Sequence, residues 1–271
     1  MASEVGECNI CGDVGPLCED HVPPQGCVRP TSVAIRRVLA RISPDKKSGK
    51  GARGWNSHDG VKFKTLCINC NTALLGATLD PALIEFSNAV ARVAQSPVHL
   101  PPVVSIPSDV GRVARSVVGH IFAHERCAYN QKISPLAWKL WLSDLSLPIP
   151  SGHDLHYWLY PYKRQVYFNG ASMFDFGAPN EPAPTYRLLK FYPLAFALST
   201  TSSGGRLRER SLSRLDPLVD GQRVDVPVDF RWLRPELFLE FPGDGTLEAV
   251  LTTDDNLIAN ERGHVGKLIR K

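Results

Sequence analysis

The spacing of apolar residues along the chain changes near residue 150. Before that point apolar residues mostly recur every three or four positions, which predicts helices. After it they mostly alternate with polar residues, which predicts strands. Helices are predicted over residues 31–42, 71–95 (with a break near 76–81), 109–126 and 136–145. Strands are predicted over residues 61–66, 156–168, 187–199, 224–232, 237–241 and 248–253.

These elements predict an α+β protein in three parts, residues 1–95, 96–150 and 151–271. The four prolines between residues 96 and 107 indicate a linker or an extended crossing at the start of the middle part. The last part is predicted to be mostly antiparallel sheet, with Pro227 in an edge strand because proline cannot donate to a central ladder. A length of 271 residues, 43% of them hydrophobic, is ample for these cores.

Two cysteine pairs with C-x-x-C spacing lie in the first part. They are Cys8 with Cys11 and Cys67 with Cys70. The N-terminus has neither the basic nor the apolar segment of an export signal, so we expect a cytoplasmic protein with reduced thiols. Two such pairs then predict a structural four-cysteine Zn²⁺ site. Cys18 or Cys27 could compete as a ligand.

Positive charge is concentrated in residues 29–53, although the net charge of the whole chain is only +4. A polyanion such as a nucleic acid would be attracted to this stretch. A solvated loop explains it equally well. No apolar run is long enough for a membrane helix. The basic residues proposed to contact nucleic acid are Arg36, Arg37, Arg41, Lys46, Lys47, Lys50 and Arg53.

Asp20 and His21 follow one another at the predicted end of a strand, before Pro23 and Pro24. Adjacent strand residues point to opposite faces unless a bulge brings them together. With a bulge, the carboxylate could hold a metal ion and the imidazole could deprotonate a water molecule. Asn71 offers a second oxygen ligand, and few oxygen ligands completed by water suit Mg²⁺ or Mn²⁺.

Together these motifs resemble the HNH endonuclease family of the ββα-metal (His-Me finger) fold, especially its zinc-knuckled members with an Asp/Glu-His-x-x-Pro motif. The resemblance covers roughly residues 5–90, and residues 112–124 resemble a helix that follows the core in some members. It implies a zinc-stapled nuclease core in residues 1–95, with His21 as the general base. Asp20 and Asn71 would be the catalytic metal ligands, and residues 151–271 a recognition or regulatory domain.

The chain departs from the family where a central Asn orients the base. Thr65 stands near that position, and Asn56 or His58 could substitute. The resemblance as a whole implies a divalent-metal-dependent endonuclease that acts on DNA. A prokaryotic defence role, antiviral or against mobile elements, and activation by a protein partner or a homodimer fit the resemblance. The alternative is a zinc-stabilised nucleic-acid-binding or assembly module with an inactive core. His120 and His124, one helical turn apart, are expected to be a packed or surface pair.

Overall fold

The structure is a computed structural model that describes residues 4–38, 54–124, 135–175, 185–199, 211–214, 221–231, 248–252 and 256–262. The strands are β1 (Val5–Glu7), β2 (Val14–His21), β3 (Val33–Arg37), β4 (Trp55–Ser57), β5 (Lys62–Cys67), β6 (Val103–Ser108), β7 (Asp154–Leu159), β8 (Gln165–Asp175), β9 (Thr185–Phe191), β10 (Leu194–Ser199), β11 (Val224–Asp229), β12 (Glu248–Thr252) and β13 (Leu257–Glu261). The helices are α1 (Asn69–Leu79), α2 (Asp80–Ala94), α3 (Val110–Ala123) and α4 (Pro135–Ser143). The fold is mixed α+β, and its strands pair in an antiparallel manner, as predicted.

The N-terminal part is a three-stranded sheet of order β1-β2-β5 followed directly by α1 and α2. The register between β2 and β5 shifts between Cys18 and Asp20, so the irregularity lies just before the Asp-His pair. Asp20 and His21 themselves pair in regular register with Phe63 and Lys62, so they keep the opposite orientations of successive strand residues, and the bulge expected to bring them together does not lie between them. The predicted helix over residues 71–95 is present. Instead of breaking, it changes from π-helical winding in α1 to regular winding in α2, which begins at Asp80 with Pro81 in its first turn.

The helix predicted over residues 31–42 is wrong in the described residues, which form β3 instead. Val33 and Ile35 are buried while Ala34 between them is only half-buried, so the segment follows the two-residue period of a strand. β3 pairs with β4 on one side and with β13 on the other. A partner strand more than two hundred residues along the chain decided the structure here, against local helical spacing.

The large sheet has the order β4-β3-β13-β8-β9-β10-β7, with β12 also paired to β8. The predicted strands over residues 156–168 and 187–199 each became two strands joined by a turn. β13 was not predicted, and the strand predicted over residues 237–241 lies outside the described residues. Because β3 and β4 belong to this sheet, strands from both sides of residue 150 share it. The division of the chain into three domains remains a prediction.

β6 and β11 form a separate two-stranded sheet. Residues 96–107 were predicted to be a linker or an extended crossing, and the second half of this segment is indeed extended, as a strand paired with β11. Pro227 lies in β11 opposite Ser105, and β11 has β6 as its partner in this ribbon. Pro227 is thus tolerated on a two-stranded ribbon, in agreement with the predicted edge position.

α3 is the central helix of the core, and nearly all its side chains are buried. Asp109 caps its N-terminus by accepting a hydrogen bond from the backbone N–H of Arg112 at 3.2 Å. α1 packs closely against it, because a Cβ at Gly119 would lie only 2.4 Å from Leu75 Cδ2. In the part of the chain that the structure describes, every helix is too short or too polar to cross a membrane.

Candidate metal centre and active site

Four sulfur atoms, from Cys8, Cys11, Cys67 and Cys70, lie within 4.8 Å of one another. The first pair comes from the loop between β1 and β2, where Gly12 takes a φ of 76° and donates a backbone hydrogen bond to the oxygen of Cys8. The second pair spans the end of β5 and the start of α1. The 3.8 Å between the sulfurs of Cys11 and Cys67 matches the edge of a tetrahedron with metal–sulfur bonds of about 2.3 Å. The cluster could hold a metal such as zinc.

The acidities of these thiols support that fit. Hydrogen bonding from Cys70 is the main cause that lowers the pKa of Cys8 to about 4. Burial raises the pKa of Cys11 to about 12, and the neighbouring Cys8 raises that of Cys70. One thiolate thus forms readily, and its negative charge disfavours ionisation of the neighbouring thiols. A divalent cation among the four sulfurs would neutralise this repulsion and favour the thiolate form of all four.

The cluster also connects to α3. The side chain of Asn9, inside the first pair, donates a hydrogen bond of 2.8 Å to the backbone oxygen of Phe122. Thr65 donates one of 2.5 Å to the backbone oxygen of Ala123. Both acceptors are among the last carbonyl groups of α3, which have no partner within the helix. Thr65, which stands near the position where the resemblance would place an asparagine, therefore caps a helix.

Asn71 lies in the first turn of α1, directly after Cys70. Its side-chain nitrogen donates hydrogen bonds to the backbone oxygen of Glu19 at 2.9 Å and to the sulfur of Cys18 at 3.2 Å. The structure thus places Asn71 beside β2 at Glu19, the residue that precedes Asp20. Since the nitrogen is engaged as a donor, the carbonyl oxygen Oδ1 is the atom of this amide that can act as a ligand.

His21 ends β2, and its side chain is one-fifth exposed. Its Nε2 lies 3.2 Å from the backbone oxygen of Asp59 and 3.5 Å from the Asp59 carboxylate. The side-chain nitrogen of Gln25 lies 3.1 Å from both ring nitrogens. A carbonyl oxygen can only accept, so the contact with Asp59 favours the tautomer that carries a proton on Nε2, which leaves Nδ1 as the acceptor.

Asp59 is the residue that sequence reasoning missed. The candidates for orienting the base were Asn56 and His58, but Asn56 is in β4 opposite Ala34, and His58 contacts the hydroxyl of Ser32 at 3.3 Å. The backbone oxygen of Asp59 contacts the His21 ring, and the Asp59 carboxylate forms an ion pair with Lys62 at 2.6 Å. A backbone contact from a loop leaves no signature in residue type or spacing.

Asp20 is almost fully buried, at 6% exposure, and faces α3. Its Oδ2 lies 3.2 Å from Nδ1 of His120 as an ion pair. Nε2 of the same ring makes a 3.0 Å hydrogen bond with Oδ1 of Asp80, and Ser116 donates to that oxygen at 2.7 Å. His120 thus bridges two buried carboxylates. The expectation of a packed pair is confirmed for its burial, but its acidic neighbours were not foreseen.

These contacts settle the ionisation of the buried group. Burial opposes a charged imidazole, but the attraction of Asp80, and then of Asp20, outweighs it and raises the pKa of His120 to about 10. Burial likewise opposes a charged Asp80, yet the imidazolium of His120 lowers the pKa of Asp80. His120 is therefore a cation between two carboxylates near neutral pH.

The basic residues proposed for nucleic-acid binding fall into two groups. Arg36 and Arg37 lie on β3, where successive side chains alternate between faces, so they do not share the helical face expected of them. Arg36 is exposed and Arg37 is half-buried. The other five lie outside the described residues, namely Arg41, Lys46, Lys47, Lys50 and Arg53.

Comparisons of the chain with protein-family models, with curated proteins and with solved structures find no match. What the protein does is therefore inferred from its own side chains. The described residues place Asp20 and His21 at the end of β2, with Asn71 hydrogen-bonded to the preceding Glu19, and they place a four-cysteine cluster at the base of the helix that carries Asn71.

Proposed function

We propose that this protein is a divalent-metal-dependent endonuclease of the HNH type that hydrolyses phosphodiester bonds in DNA. The observation that carries the proposal is the setting of His21. Its ring is held through Nε2 by the backbone oxygen of Asp59, beside the strand position to which Asn71 is hydrogen-bonded. An imidazole held by a backbone carbonyl, at the end of the strand that also carries Asp20, suits metal-assisted hydrolysis.

Each residue has a distinct role in the proposed reaction. Nδ1 of His21 takes the proton of the attacking water, and the Asp59 carbonyl holds the ring in the required tautomer. Asp20 and Oδ1 of Asn71 would hold Mg²⁺ or Mn²⁺, which when bound neutralises charge on the phosphate and the leaving oxygen. Gln25 donates to Nδ1 in this structure and must yield that position to water.

Zinc in the four-cysteine cluster would have a structural role. It would fix the start of α1 and therefore the position of Asn71, which follows Cys70 directly. Four protein ligands leave no open position for substrate, as is typical of structural rather than catalytic zinc. The basic residues around β3, led by the exposed Arg36, would contact the DNA backbone.

The test is a cleavage assay on supercoiled plasmid, linear duplex and single strands with Mg²⁺ or Mn²⁺. Wild type should cut, and His21→Ala should lower the rate by about 100-fold or more, the usual contribution of a general base. His58→Ala is the matched control, because His58 contacts Ser32 in the same region and should cut at nearly the wild-type rate. Equal cutting by wild type and His21→Ala would refute the assignment.

The burial of Asp20 keeps a second function open. At 6% exposure the Asp20 carboxylate is poorly accessible to a metal ion, which favours a zinc-stabilised module that binds nucleic acid or assembles without cutting. Binding of plasmid DNA by folded, zinc-loaded wild type, with no cleavage in either metal, would support this alternative. A defence role, and activation by a partner or by homodimer formation, remain predictions under both functions.

A further inference from the structure

We infer that His120 is a positioning residue that holds the Asp20 carboxylate for metal binding, and that Asp80 and Ser116 in turn hold His120. This inference rests on the proposed function, and it assigns roles to three residues for which the resemblance implied none. It extends the candidate site from the β2–α1 region into the helical core formed by α2 and α3.

The geometry is a chain of short polar contacts between three elements. Ser116 and His120 lie one turn apart on α3 and both contact Oδ1 of Asp80, the first residue of α2. The opposite ring nitrogen of His120 lies 3.2 Å from Oδ2 of Asp20 on β2. Ser116 and His120 are fully buried, and both carboxylates are at least nine-tenths buried.

A core that needed only stability would have little use for this arrangement. Buried charged pairs contribute little net stability, since the loss of hydration offsets their attraction. His124, one turn further along the same helix, is equally buried and packs between the rings of Phe63 and Tyr167. By contrast, His120 with its ion pair lies on the turn of α3 that faces Asp20, near the part of β2 that Asn71 contacts.

The 3.2 Å contact between Oδ2 of Asp20 and Nδ1 of His120 is an ion pair without hydrogen-bond geometry. It draws Oδ2 towards the imidazole, so a metal ion would be bound through the other oxygen, Oδ1. Loss of a group that orients a metal ligand commonly costs 10–100-fold in metal affinity or activity. The effect of removing His120 should therefore appear chiefly in the dependence of cleavage on metal concentration.

The experiment measures cleavage as a function of Mn²⁺ concentration and Mn²⁺ binding by calorimetry, with zinc content and melting temperature as checks. His120→Gln should raise the half-saturating Mn²⁺ concentration by about 10–100-fold with the KM for DNA little changed. Ser116→Ala, a milder change that does not touch Asp20, should shift it in the same direction by less. His124→Gln, the matched control, should leave it unchanged.

A purely structural role predicts a different pattern. His120→Gln and His124→Gln would then both lower the melting temperature and the active fraction, with the half-saturating Mn²⁺ concentration as in wild type. That result would overturn the inference alone. Wild type that neither cuts DNA nor binds Mn²⁺ would overturn the proposed function and this inference with it. If His120→Gln does not fold, Ser116→Ala decides.

Discussion

The side-chain amide of Asn71 donates a hydrogen bond to the backbone oxygen of Glu19, with 2.9 Å between the two atoms. Asn71 follows a cysteine of the four-sulfur cluster, and Glu19 precedes Asp20 on β2. The bond therefore transmits the position of the cluster to the strand that carries the proposed catalytic residues. It also turns the amide so that its nitrogen faces the strand.

Loss of a cluster cysteine should destabilise the protein strongly. We expect Cys70→Ser to bind little zinc, because a structural zinc contributes about 10–16 kcal/mol, as much as the net stability of a typical domain. The melting temperature should fall by about 10 °C or more. Zinc content by mass spectrometry and thermal unfolding measure both effects.

Cys27→Ala is the control for that experiment. Cys27 lies outside the cluster, and burial raises the pKa of its thiol well above the usual range, so it is not suited to bind zinc as a thiolate. We expect its zinc content to match wild type even if its melting temperature falls. A full zinc complement in Cys70→Ser, or loss of zinc in Cys27→Ala, would contradict the assignment of the cluster.

Tyr167→Phe should loosen the end of β2. The Tyr167 hydroxyl, on β8, donates to the backbone oxygen of Val22 at 2.6 Å and also contacts Gln165. Val22 follows His21 directly. Removal of the hydroxyl leaves a buried carbonyl without its donor, which costs about 1–3 kcal/mol. Urea unfolding should show that loss, and the cleavage rate at a temperature where the variant is folded should also fall. An unchanged midpoint would exclude a role for this bond.

Local sequence features predicted the parts of the site that are close together in the chain. The C-x-x-C spacing, the Asp-His pair before two prolines and the capped α3 all depend on near neighbours. β3 was predicted as a helix because Ile35 and Val38 fit a helical period, whereas its pairing with β13 is not visible in that segment. The bridge from Asp80 to His120 was missed for the same reason, since 40 positions separate the two residues.

Arg115→Met should destabilise the contact between α3 and α4 without touching the site. The buried guanidinium donates to four backbone oxygens, at 2.6–3.0 Å, and stacks over the Trp141 ring. Each buried acceptor left without a donor costs about 1–3 kcal/mol, so the total loss should be about 3 kcal/mol or more. The stability of Arg115→Lys should lie between those of wild type and Arg115→Met, because an ammonium group cannot reach all four oxygens. Zinc content should stay unchanged in both.

Stability should decrease in acid because of His124. Burial lowers the pKa of His124 to about 3, against about 6.5 for an exposed histidine. Below pH 6.5 His124 is therefore protonated in the unfolded chain but stays neutral in the folded protein. The free energy of unfolding then decreases as the pH falls towards 3. The loss is at most about 1.4 kcal/mol per pH unit.

His124→Phe removes this titration and keeps a ring beside Phe63 and Tyr167. Other acid-sensitive groups, including the cysteine cluster, are shared by both proteins. Between pH 6.5 and 4.5 we expect wild type to lose about 2–3 kcal/mol more than the variant in denaturant titrations, following the two pH units crossed. Parallel pH profiles would show that His124 is already charged in the folded protein.

The position of β13 in the large sheet sets an order of events during protein synthesis. β3 is made early, but its neighbour on one side spans Leu257–Glu261, and β13 in turn joins β3 to β8. A ribosome must therefore translate more than two hundred further codons before β3 can pair on that side. A nascent chain would carry Asp20 and His21 long before then, so the proposed hydrolase would mature only after the strand at 257–261 has emerged.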